Sequence, residues 1–177
     1  NLTVGKKKYA DVQDRVKEIA EQAQDLKDFF LGAIDDDTDA FNAVLACFGL
    51  PKGTAEQKKA RDLAIAAATR QATRVPLSVL EKVPPLLELA AEIGQIGNVN
   101  SLSDAGVAVL AGMAGAEGAY YNVLINLDSL RELDQSEEPE FGQDTRECAQ
   151  TALEACEKLA VETRKAVRGK LESVLDS

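Results

Sequence analysis

From Val12 to Phe48 the chain places an apolar residue every three or four positions: Val12, Val16, Ile19, Ala23, Leu26, Phe30 and Ala33, then Phe41, Val44 and Phe48. This spacing gathers side chains on one face of an α-helix, and such a face has to be covered by other elements. No convincing strand pattern occurs elsewhere, so a long first helix commits the chain to an all-α architecture. One position breaks the chemistry of the stripe. Asp37 falls on it, whereas Asp35, Asp36 and Asp39 fall off it. A lone carboxylate buried among Phe30, Ile34, Phe41 and Val44 is unfavourable unless paired or protonated. Burial raises a carboxyl pKa, which suits a proton-transfer group. Asp37 is therefore expected to be sequestered and is the first catalytic candidate. A structural pairing or capping role explains the same position equally well.

At 177 residues the chain is expected to form one domain, 1–177, with a sizeable core. The expected fold is a multihelical bundle with a long N-terminal helix and a buried central helix rich in small residues. Five helices are expected. The first runs from about Tyr9 to Phe48, with a bend in the acidic run, and Gly49, Pro51 and Gly53 end it. The second opens at Thr54, where Thr54 and Gln57 match a capping box, and runs to Val75. Pro76 opens the third, Pro84-Pro85 breaks or kinks it, and it stops at Gly97-Asn98. The fourth, from about Leu102 to Leu130, carries the stripe Leu102, Gly106, Val109, Met113, Ala116, Tyr120, Val123, Leu127 and Leu130. A second face of small residues predicts burial on several sides and close backbone approach. The stretch from Arg131 to Phe141 reads as a surface loop, and the last helix spans about Gly142 to Leu175.

The chain contains no histidine. The Ser–His–Asp and Cys–His types of site are thereby excluded, and acid–base chemistry falls to Asp, Glu, Lys, Tyr, Cys or water. Cys47, Cys148 and Cys156 have no C-x-x-C spacing. They are expected to be reduced thiols in a cytoplasmic protein, with no metal bound. The N-terminus has no secretory signal pattern. A formal charge of -10 argues against nucleic acid as a partner. A membrane role is not expected either, because Glu117, Asn122 and Asn126 interrupt the most apolar helix and both its flanks are acidic.

Against that acidic background, Lys6, Lys7 and Lys8 form a local basic spot that could hold an anion, or a solvated charge run. The segment Gly97 to Asp104 opens the central helix and is dense in small polar groups. Its backbone N–H groups could attract an anion or a carbonyl oxygen, while Ser101 and Asp104 could simply cap the helix. Asn122 and Asn126 lie one turn apart on one face. Two such amides can read the amide edge of a heterocycle or bond to a neighbouring helix.

Six motifs occur in order: Gly5-Lys6-Lys7-Lys8-Tyr9, Asp37-x-x-x-Phe41, Leu50-Pro51-Lys52, Val75-Pro76-Leu77, Gly97-Asn98-x-Asn100-x-x-Ser103-Asp104, and Asn122-Val123-Leu124-Ile125-Asn126-Leu127. Together they resemble the cyclodeaminase/cyclohydrolase family, which includes the C-terminal domain of formiminotransferase-cyclodeaminase and stand-alone methenyltetrahydrofolate cyclohydrolases. The resemblance runs from Asn1 to about Leu130; the last helix matches only in helical character. It implies an all-α homodimer acting on one-carbon derivatives of tetrahydrofolate. The cyclodeaminase reaction releases ammonia from formiminotetrahydrofolate and closes the methenyl ring; the cyclohydrolase reaction adds water to that ring. The family's proton-accepting aspartate matches Asp37. By the same resemblance, Asn98, Asn100, Ser103, Asp104, Asn122 and Asn126 would position the pterin and one-carbon unit. Lys6, Lys7 and Lys8 would attract the glutamate tail of a folate, including a polyglutamylated one.

Family members usually carry a Pro-Gly-Gly-Gly-Ser segment and a small-residue helix ahead of the stretch matching Asn1-Leu2-Thr3. Neither occurs in these 177 residues. The expectation is a piece lacking part of the folate site or, if the natural protein lacks them too, a chain whose catalysis is in question. The leading expectation is a formiminotetrahydrofolate cyclodeaminase, with methenyltetrahydrofolate cyclohydrolase as the alternative. A non-catalytic helical oligomerisation module is the reading from another class.

Overall fold

A computed structural model describes residues 2–131, 133 and 140–175, with side chains as far as Ser173. Its described residues form four long helices and no strand: α1 (Gln13–Phe48), α2 (Ala55–Ile96), α3 (Leu102–Leu130) and α4 (Phe141–Leu175). Short 3-10 helices precede α1 (Lys7–Val12) and α3 (Val99–Ser101). The chain divides into two compact units. One comprises Asn1–Phe29, Lys82–Ala116 and Leu153–Ser177; the other comprises Phe30–Glu81 and Glu117–Ala152. No helix among the described residues is long and apolar enough to cross a membrane.

The first unit buries Val16, Ile19, Val83, Leu87, Leu102, Val109, Leu153, Cys156 and Val167. These are the stripe positions of four helices, and removing their apolar surface from water drives the packing. Small residues let α2 and α3 approach closely: a Cβ on Gly112 would stand 2.9 Å from Leu87 Cδ2. Just past the end of α2 the backbone admits only glycine without a shift, since a Cβ on Gly97 would lie 2.5 Å from the Ile93 carbonyl oxygen. The Lys170 ammonium donates to the Gly94 and Gln95 carbonyls at 3.1 and 2.8 Å, satisfying acceptors that the helix end leaves open. The Arg15 guanidinium grips both oxygens of Glu92 at 2.6 and 2.5 Å and holds that carboxyl below the usual carboxylate range. Burial pushes the Cys156 thiol up to about 11. Cys47 and Cys148 are free as well.

The second unit buries Ala33, Ile65, Ala66, Thr73, Leu80, Ala119, Val123, Leu130 and Ala149. Its α2 begins with the expected capping box. Gln57 N–H donates to Thr54 Oγ1 at 3.2 Å, while Gln57 Oε1 accepts from the N–H groups of Thr54 and Gly53 at 3.2 and 2.9 Å. Thr54→Ala removes one half of this exchange, and chemical denaturation is expected to read a loss of about 1 kcal/mol. The Tyr120 hydroxyl donates to Gln150 Oε1 at 2.8 Å, and the Arg74 guanidinium sits 5.0 Å over the Phe141 ring.

Three expectations are corrected. The second and third helices are one: α2 continues through Pro76, Pro84 and Pro85. Proline breaks a helix by removing a donor and crowding the carbonyl four residues back. Here Asn126 Nδ2 donates at 3.2 Å to Ala72 O, the carbonyl that Pro76 leaves without a donor. Thr73, Leu80, Val83 and Leu87, all at most 2% exposed, anchor the helix on both sides of the prolines. The α-helical part of α1 starts at Gln13 rather than about Tyr9, because Lys7–Val12 form a 3-10 helix, and it then continues through the acidic run to Phe48. Finally, α3 is buried on two faces, the stripe and the small-residue face at Ala105, Gly112 and Ala119, but a third face is open. On that third face Val107, Leu110, Tyr121 and Ile125 are all more than half exposed, since the four helices of the described residues do not cover it. The predicted loop at Arg131–Phe141 lies largely outside the described residues.

Candidate functional site

In the second unit, one hollow of about 390 Å³ gathers three of the sequence candidates. α1 supplies Asp37, Phe41, Val44 and Phe48; α2 supplies Ile65, Thr69 and Ala72; α3 supplies Asn122, Asn126 and Ser129. The helical period explains the grouping. Positions 37, 41, 44 and 48 share a face, as do 65, 69 and 72, and 122, 126 and 129. The volume falls in the range of small-molecule sites, which are mostly apolar with a few convergent polar groups.

Asp37 is exposed in this chain, against the expectation of burial. The stripe of α1 is buried at Val16, Ile19 and Ala33, but from Asp37 onward it faces the hollow rather than packed side chains. The carboxylate has no hydrogen bond or ion pair with any described residue. It is open to a ligand.

Asn122 is exposed and Asn126 half-buried. Asn126 Nδ2 donates to Ala72 O at 3.2 Å, and its Oδ1 takes no hydrogen bond from any described residue. The Phe48 wall is held by Arg61, whose guanidinium lies 5.3 Å over the ring and donates to the Phe48 carbonyl at 3.4 Å. Ser129 Oγ bonds back to Ile125 O at 3.0 Å, and Thr69 O accepts from Thr73 Oγ1 at 2.7 Å. Ser129, Thr69, Ile65 and Phe48 line the site although the sequence did not single them out as ligand groups. Ser129 was findable, since it lies three residues beyond Asn126 on the same helical face. Thr69 and Ile65 were not, because nothing in α2 alone says which neighbour they face.

The other candidates belong to the first unit and none of them lines this hollow. Lys6, Lys7 and Lys8 are exposed in and beside the first 3-10 helix. Asn98 is occupied locally: its side chain accepts from Asn100 N–H at 3.0 Å and donates to Leu2 O at 2.8 Å, while its N–H donates to Thr3 Oγ1 at 3.0 Å. Asn100, Ser103 and Asp104 are exposed, with Asp104 in the first turn of α3 where a negative charge suits the helix dipole. A larger open depression of about 970 Å³ in this unit has an aliphatic floor and includes Ser103, Arg164, Lys165 and Arg168. It holds one sequence candidate and a rim of mostly fixed positive charge. The smaller hollow joins an unpartnered carboxylate to two amides and is the better chemical site.

A sequence profile of formiminotransferase-cyclodeaminase matches residues 1–147, more than half of the chain. The chain belongs to this family. Within it, the chain is 44% identical over 97 residues to a methenyltetrahydrofolate cyclohydrolase of Methylorubrum extorquens, covering 53% of this chain and 47% of that protein. It is 34% identical over 126 residues to a formimidoyltransferase-cyclodeaminase of Rattus norvegicus, covering 71% of this chain and 23% of that protein. The matched stretches thus span less than half of either relative. A solved formiminotetrahydrofolate cyclodeaminase from Thermotoga maritima superposes with a TM-score of 0.72 at 22% identity, over 98% of this chain and 77% of that one. At that identity the likeness concerns the fold, which is the same all-α arrangement.

Proposed function

We propose that this family member acts on one-carbon derivatives of tetrahydrofolate, with Asp37 as general base and acid. The observation that carries the reading is one hollow holding an unpartnered Asp37 carboxylate together with Asn122 and Asn126. In the cyclodeaminase reaction, a folate nitrogen attacks the formimino carbon. Asp37 takes the proton from that nitrogen and returns one to the departing ammonia, so the methenyl ring closes. The carboxylate also stabilises the cationic methenyl carbon. The two amides offer donors and acceptors to the pterin edge, and Phe41 and Phe48 offer flat apolar walls.

A second reading, methenyltetrahydrofolate cyclohydrolase, is favoured by the 44% identity to the bacterial cyclohydrolase. The same base then takes a proton from water attacking the methenyl carbon and delivers it to the folate nitrogen that leaves. The chain is assayed with formiminotetrahydrofolate for ammonia release and with methenyltetrahydrofolate for loss of the methenyl chromophore. Turnover of the first supports the cyclodeaminase, turnover of the second alone supports the cyclohydrolase, and activity on neither rejects the enzyme in favour of a helical oligomerisation module.

The homodimer implied by the resemblance fits the surface of the second unit. Ile34, Phe41, Leu45, Phe48 and Ile125 are 62%, 59%, 49%, 51% and 64% exposed, an apolar set of the kind that marks an interface. Ile34, Asp37 and Phe41 share a face of α1, so a second copy covering that face would also withdraw Asp37 from water. We place the protein in the cytoplasm, on its free thiols.

A further inference from the structure

We propose that Pro76 is a positioning residue that turns Asn126 into a fixed hydrogen-bond acceptor for the ligand. The proposal rests on the hollow being the folate site. In a regular α-helix the carbonyl of residue 72 accepts from the N–H of residue 76. Residue 76 is proline and has no N–H, yet α2 runs without interruption from Ala55 to Ile96. The Ala72 carbonyl is therefore released from the helix ladder by covalent structure alone. It accepts instead from Asn126 Nδ2 at 3.2 Å, and both residues line the hollow.

A carbonyl oxygen only accepts, so the amide atom against it has to be the nitrogen. The orientation of the Asn126 amide follows without ambiguity. Its Oδ1 takes no hydrogen bond from any described residue and is the atom left for a ligand. Asn122, one turn earlier on the same face, has no hydrogen bond among the described residues and can turn to donate or accept. The two amides are thus not equivalent. Asn126 selects a ligand edge that carries N–H groups, as an aminopyrimidinone ring does, and Asn122 adapts to whatever lies beside it. A proline in mid-helix is a loss for the helix and a gain for recognition, because it removes the one donor that would compete with Asn126.

Pro76→Ala restores the N–H and lets Ala72 O return to the ladder, freeing the Asn126 amide to flip. With formiminotetrahydrofolate or 5,10-methenyltetrahydrofolate as substrate, whichever the wild-type chain turns over, Pro76→Ala and Asn126→Ala are each expected to raise KM about three- to tenfold, the value of one hydrogen bond. Their kcat stays within about twofold, and the double variant is no worse than Asn126→Ala alone. Pro76→Ala is also expected to raise Tm, so a weakened KM in a more stable chain is not a folding defect. If Asn126→Ala raises KM and Pro76→Ala does not, the proposal is overturned while the folate reading stands. If neither variant changes KM or the Kd for tetrahydrofolate, the proposal and the folate reading fall together. A check needing no substrate is hydrogen exchange of the side-chain amides by NMR. Asn126 Nδ2 hydrogens are expected to exchange more slowly than those of Asn122 in the wild-type chain, and equal rates overturn the proposal.

Discussion

Asparagine in place of Asp37 lowers kcat by about 10² to 10⁴-fold, the range supplied by general acid–base catalysis, and leaves Tm unchanged. The substitution keeps the size of the side chain and removes its capacity to take a proton. Asp37 is exposed and has no partner among the described residues, so folding of the chain does not depend on its charge. KM for the folate substrate is expected to change little, because the amides and aromatic walls remain. Asp36→Asn is the control. It changes the same net charge on the same turn of α1, but Asp36 does not line the hollow, and activity is expected to persist. Steady-state kinetics on both folate derivatives read the difference. Full activity in the Asp37 variant, or equal losses in both, would remove the carboxylate from the mechanism.

Leu87→Ala is expected to destabilise the chain by ~3 kcal/mol, with a drop in Tm of roughly 6–12 °C. Leu87 is 0% exposed in the core of the first unit. Truncation removes three buried carbons and leaves a void, since packed neighbours relax only in part. The void opens directly toward Gly112, whose added Cβ would otherwise stand 2.9 Å from Leu87 Cδ2. Gly112→Ala should therefore recover part of the loss in the Leu87→Ala chain, helped by the better helix propensity of alanine. In the wild-type chain the same change meets the leucine and gains less. Denaturant unfolding of the four chains gives the coupling, and strict additivity would contradict the packing contact.

Much of the helical layout was legible because it depends on local order. The stop at Gly49 and Pro51, the capping box at Thr54 and the start of α3 at Leu102 are all decided by residues within one turn of each other. The inward stripe of α3 was equally readable, from Leu102 through Val109 and Val123 to Leu130. The prolines of α2 were read as breaks because the donor that satisfies Ala72 comes from Asn126, fifty-four residues away along the chain. The site was half legible. The resemblance and the stripe both singled out Asp37, and spacing paired Asn122 with Asn126. That Thr69 and Ile65 stand opposite them was hidden in a helix whose facing neighbour the sequence does not name.

By itself the order of residues determined the helices, the apolar face of each and the presence of an acid where a hydrocarbon belongs, since these follow from a period of 3.6 residues and from capping chemistry. Only the tertiary structure decided what each face meets. It lent the Ala72 carbonyl, left open by Pro76, a distant donor within an unbroken α2, and it set Asp37 against a hollow instead of a packed core. Periodicity specifies a direction around a helix axis, whereas burial depends on how many other helices arrive in that direction.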